Sequence, residues 1–196
     1  MRLEYINIEG RNEIFGRGTS IADDVLNQYL DFEHQKFRIG NLLLLADDIS
    51  YRITRNLQKY MDKKEKNIIR IAVREIIINA IEHGNLGISF EEKSAAIMND
   101  SYAEYIKQRQ KDPLYRDKTV YVEYEVDPEK VTYVVTDEGE GFNFHDYVDI
   151  IGKVNAQMLP HGRGISFAKN VFDEVIFNDK GNIVTLVKYF RNCAAH

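Results

Sequence analysis

The chain is short of several things, and each shortage excludes something. It has one cysteine in 196 residues. A lone Cys193 cannot close an internal disulfide, so the fold does not need an oxidising compartment. It sits three residues from the C-terminus, with no local His or Asp partner pattern, and reads as an inert tail residue. Long apolar runs are missing too. The longest, Leu42 to Ala46, falls far below the roughly 20 residues of a membrane span. The opening Met1-Arg2-Leu3-Glu4-Tyr5-Ile6-Asn7 is broken by charge and is not a secretory leader. The expectation is a cytoplasmic protein without membrane contact. An excess of basic charge is also absent: 26 Lys and Arg stand against 31 Asp and Glu, a net charge of −5. That argues against direct nucleic-acid binding, which needs a basic face. Tryptophan is missing, and the 12 Tyr and 10 Phe decide nothing about function.

What is present suits a soluble globular domain, with 44% hydrophobic and 29% charged residues. Residues 1–31 form an unassigned extension, with a short helix from Ile21 to Leu30 behind Ser20 as N-cap. Residues 32–196 form one domain. A first strand spans Phe32 to Ile39. Leu42, Leu45, Ile49, Ile53 and Leu57 recur at helical spacing over Asn41 to Tyr60. A second helix runs from Lys64 to His83, with Ile68, Ile69, Ala72, Ile76 and Ala80 inward and Gly84 as its C-cap. A third covers Glu91 to Lys111 and stops before Asp112-Pro113. Val120, Val122, Tyr124 and Val126 alternate as in a strand, and Val131 to Thr136 completes a hairpin. Gly164 to Phe172 looks helical. Val175 to Asn178 and Ile183 to Phe190 form a second hairpin around Asp179-Lys180-Gly181-Asn182. This order predicts an α+β sandwich, a mixed or antiparallel sheet with helices on one face.

Four motifs carry chemistry. Glu75, Asn79 and His83 recur every four residues along one helix face. The Asn79 amide oxygen suits Mg²⁺ and the Glu75 carboxylate suits proton abstraction, although a solvated face has the same spacing. Asp137-Glu138-Gly139-Glu140-Gly141-Phe142 follows a strand. Its Asp can accept from an adenine amino group, and its glycines let a base or phosphate approach, while a plain tight turn fits equally. His161-Gly162-Arg163-Gly164 opens a helix, where free N–H groups and Arg163 favour an anion, or where glycines serve only as a hinge. Thr185 sits mid-strand, as β-branched residues commonly do.

Taken together and in order, these motifs resemble the boxes of the gyrase, histidine-kinase and MutL-like ATPase superfamily, from about Phe37 to Arg191. The longer strings Asn79-Ala80-Ile81-Glu82-His83-Gly84-Asn85-Leu86-Gly87-Ile88, Glu91-Glu92-Lys93, Pro160-His161-Gly162-Arg163-Gly164-Ile165 and Phe172-Asp173-Glu174-Val175 resemble its anti-sigma-factor serine/threonine kinase branch. The resemblance implies a two-layer α/β sandwich of the Bergerat type, with ATP beneath a mobile lid at about Asn143 to His161. It implies Asp137 at the adenine amino group, with Gly139, Gly141, Phe142 and Thr185 around the base. Asn79 would hold Mg²⁺, and His83 would lie beside it. His161, Gly162, Arg163 and Gly164 would line the phosphates, and Glu75 would be the general base. The implied partner is an anti-sigma-factor antagonist with a Ser or Thr acceptor, together with a sigma factor and a second copy of the chain. The helix from Glu91 and its loop to Arg116 lengthen this chain relative to the shorter kinases of that branch. A histidine-kinase catalytic domain, with His34 as acceptor, and a non-catalytic ATP-dependent binding module are the alternatives.

Overall fold

A computed structural model of the chain describes residues 29–142 and 163–190. The expected helix behind Ser20, the lid at 143–161 and Cys193 lie outside the described residues. All that follows concerns the unit that begins at Phe32.

The elements run β1 (Glu33–Ile39), α1 (Leu44–Thr54), a 3₁₀ turn (Arg55–Lys59), α2 (Lys63–Asn79), a π-helical turn (Ala80–Asn85), α3 (Phe90–Met98), α4 (Tyr102–Lys111), β2 (Val120–Val126), β3 (Lys130–Thr136), α5 (Arg163–Val171), β4 (Glu174–Phe177) and β5 (Ile183–Tyr189). The sheet order is β1-β2-β3-β5-β4. Every pairing is antiparallel, so of the two sheet types open in the sequence the mixed one drops out. Connectivity accounts for two of the four pairings, because β2–β3 and β4–β5 are hairpins.

Register brings the alternating apolar residues into rows. Val122, Val135 and Val184 form one row, and Tyr124, Tyr133 and Leu186 the next. All six are buried and share one face. α1, α2 and α5 cover that face, with α2 packed against both of the others. Ile69, Ala72, Val73, Ile76 and Ile77 of α2 meet the rows, joined by Ile53 of α1 and Ala168 of α5. This is the two-layer α/β sandwich that the element order implies.

Two local expectations change. Gly84 is no C-cap: it lies within the π-helical turn and has no positive φ. The helix widens there, with Leu86 N–H donating to Ile81 O at 2.8 Å. The 91–111 segment is two helices, divided at Asp100, where φ is +52°. Ser89 opens the first through a capping box with Glu92. The Asp62 side chain caps α2 by accepting from Glu65 N–H at 2.8 Å. His34 stands on β1, within the strand expected over Phe32 to Ile39, and bonds Glu123 at 3.0 Å.

Among the described residues no helix is long and apolar enough to cross a membrane.

Candidate nucleotide site

A cavity of about 380 Å³ opens between α2, its π-helical turn and the ends of β3 and β5. That size suits a small organic ligand. Its walls are mainly apolar, with Ile76, Ala80, Ile88, Val135, Val184 and Phe177 among them. Asn79, His83 and Asp137 supply polar groups.

Asp137 follows β3 directly and marks one end. Burial pushes its carboxyl up to about 6, and the Gly139 N–H, donating to Oδ1 at 2.8 Å, pulls in the opposite direction. It is therefore an acceptor at neutral pH that gains a proton in mild acid. Two glycines let the loop come close: a Cβ on Gly84 would collide with the Asp137 side chain, and one on Gly139 with the Gly84 carbonyl. The loop then locks onto the β4–β5 turn. Phe142 N–H donates to Lys180 O at 3.1 Å, Asp137 N–H to Asn182 O at 3.0 Å, and Asn182 Nδ2 to Asp137 O at 2.8 Å. Gly141 and Gly181 have φ of +80° and +78°, and a Cβ on either would strike the opposing backbone. From behind, buried Asn85 accepts from Glu138 N–H at 2.9 Å and donates to Asn41 at 2.8 Å.

The other end is built from side chains. Gly164, in the first turn of α5, lies so near that a Cβ would sit 2.8 Å from Asn79 Nδ2 and 3.5 Å from Glu75 Cβ. The positive end of α5 therefore lies beside Asn79. His83 bonds the Ile88 carbonyl through Nδ1 at 2.6 Å. A carbonyl only accepts, so Nδ1 carries hydrogen and the neutral ring presents Nε2 as an acceptor.

The structure thus gathers Asn79, His83, Asp137, Gly141 and Phe142 at one cavity. Phe142 packs edge-on against Phe177 at 5.4 Å. Others are placed differently. Gly139 supports the Asp137 loop from outside the lining. Thr185 pairs with Val134 and Ile176, across the sheet from Val184, and does not line the cavity. Strand alternation turns it away. Glu75 is absent from the cavity lining and opens onto an adjoining groove instead. Arg163 begins α5, while His161 and Gly162 lie outside the described residues. The sequence reading missed Asn182 and the apolar walls. Asn182 looked like turn filler, and Ile76 and Ala80 carry the same pattern as core residues.

An apolar slot with a half-buried Asp after a strand at one end and an Asn of a long helix at the other suits a nucleotide. The family described as histidine kinase-like ATPase domain matches residues 46–188, and the chain belongs to it. No curated protein matches the chain. The chain therefore carries an ATP-binding module of this family.

Proposed function

We propose that the chain is an ATP-dependent serine/threonine protein kinase of the anti-sigma-factor type. Its substrate would be a hydroxyl on an antagonist protein. The observation that carries this reading is the arrangement around Asn79. The adenine acceptor Asp137 lies at the far end of the same cavity, the α5 N-terminus abuts Asn79, and Glu75 stands one turn back, facing outward from the cavity. A base placed there can meet a hydroxyl arriving from outside while the nucleotide stays within.

Among the described residues there is no group of three or more His, Cys, Asp and Glu that could hold a metal. An ion held by the Asn79 oxygen would complete its shell with phosphate and water, which is how Mg²⁺ usually binds. When bound, Mg²⁺ neutralises charge on the transferring phosphoryl group. The protein's own residues orient and exchange protons. Asp137 fixes the base by accepting from its amino group. Ile76, Val135 and Val184 exclude water around it. Gly164 brings backbone N–H groups to the phosphate end, and Arg163 begins the same turn. Glu75 takes the acceptor's proton, a step typically worth about 10²–10⁴-fold.

Sigma-factor binding, a homodimer and a cytoplasmic setting belong to the same reading. His34, paired in a strand, speaks against a histidine acceptor on a helical hairpin.

Calorimetry with Mg²⁺ and ATP tests the reading on wild type, Asn79→Ala and Glu75→Ala. Mg²⁺-dependent binding that is lost in Asn79→Ala and kept in Glu75→Ala is expected. Acid-stable label from [γ-³²P]ATP on an antagonist protein would complete it. Wild type that binds no ATP would sink it, and binding without any transfer would leave a non-catalytic module.

A further inference from the structure

Glu75 lines a second groove of about 460 Å³, walled by Leu43, Leu44 and Ile78 and floored by Asp47 and Arg74. Its carboxylate is not loose there. Arg74 Nη1 donates to Glu75 Oε1 at 2.9 Å. The same guanidinium grips Asp47 of α1 through Nε to Oδ1 at 2.6 Å and Nη2 to Oδ2 at 3.4 Å. Among the described residues, Glu75 Oε2 has no hydrogen-bond partner.

Helix geometry does not supply this contact. Consecutive residues point about 100° apart on a helix, so Arg74 and Glu75 do not naturally face each other. The Asp47 fork draws the guanidinium back across α2. All three side chains are between a third and a half exposed. Pairs this wet add little stability, so holding the fold together is a poor account of a three-residue chain of contacts. What the planar fork does well is fix orientation.

We infer that Arg74 is the positioning residue for Glu75, with Asp47 as its anchor. It occupies Oε1 and turns Oε2 toward the groove, where an acceptor hydroxyl would enter. The inference rests on the proposed role of Glu75 as base. Lysine at position 74 would keep the charge but lose the fork, and is expected to hold the carboxylate less well.

The experiment uses the full chain, Mg²⁺ with ATP, and water as the acceptor. Arg74→Ala should lower turnover about tenfold, short of the ~10²-fold that a 1 Å misplacement of a reacting group can cost, with ATP affinity within about twofold of wild type. Arg74→Lys should recover part of the loss. Arg74→Ala added to Glu75→Gln should cost nothing more, because the residue being positioned is gone. In the nucleotide-free chain, the Arg74 Nε–H resonance should shift in both Asp47→Asn and Glu75→Gln. An unshifted resonance, unchanged turnover in Arg74→Ala, or an equal tenfold loss in the Glu75→Gln background would each overturn the inference. Turnover that is absent in wild type with both water and an antagonist protein as acceptor, or that is unaffected by Glu75→Gln, would instead overturn the phosphotransfer reading, and this inference with it. Loss in Glu75→Gln with none in Arg74→Ala would overturn the inference alone.

Discussion

The two ends of the cavity are built on different principles. The Asp137 end is backbone against backbone: four glycines at 84, 139, 141 and 181 remove the side chains that would keep its loops apart. The Asn79 end is a helix surface, where Asn79 projects from α2 without setting its path, and Glu75 and Arg74 of the same helix face the groove beside it. Changes at the first end should therefore disturb folding and binding together. Changes at the second should disturb chemistry and leave the fold alone.

Glu75→Gln gives the largest separation of the two. Turnover should fall at least about 100-fold, the lower range for general-base catalysis. The unfolding midpoint and ATP affinity should stay close to wild type. Comparable losses in stability and turnover would break the contrast.

Gly141→Ala probes the other end. A side chain there meets both positive φ and the Lys180 backbone. Destabilisation of about 2–3 kcal/mol in urea unfolding is expected, with ATP binding lost alongside. A stable variant that has lost only binding would argue against a shared backbone cause.

Asp137→Asn should weaken ATP about 10–100-fold, since a bond to a charged acceptor contributes about 1.5–3 kcal/mol. The pH dependence has two signs. The Asp137 carboxyl is raised to about 6 by burial. ATP affinity should therefore fall as pH drops through 6 and the acceptor gains its proton. Folding stability runs the other way: the native state holds the proton more tightly, so this group favours folding most at low pH and loses that contribution as pH rises through 6. Titration calorimetry from pH 5 to 8, beside unfolding of wild type and Asp137→Asn, separates the two.

The smallest effect belongs to Thr185→Val. With Thr185 across the sheet from Val184, ATP affinity should stay within about twofold, because a half-exposed strand position tolerates an isosteric β-branched residue. A larger loss, measured by calorimetry, would return Thr185 to the nucleotide site.

Much of the molecule was legible in the residues. Alternation in Val120–Val126 and Val131–Thr136 gave the central hairpin, because a strand with one buried face must alternate. Spacing in Ile69, Ala72 and Ile76 gave α2. Asn79 and Asp137 were legible as a distant pair through the resemblance of their surrounding strings. The Asp100 break was not, since nothing in apolar spacing marks a left-handed Asp. The Ser89–Glu92 box was written in the chain and passed over.

The sequence by itself determined the layers, the two hairpins and the residue types of the site, because periodicity and turn glycines act over a few residues. Only the tertiary structure decided which of those residues share a cavity. It turned Thr185 away, brought Asn182 in, and aimed Glu75 at a neighbouring groove under the hold of Arg74 and Asp47. Those outcomes depend on sheet register and on how α1 and α5 pack against α2, which join residues far apart in the chain and leave no local pattern to read.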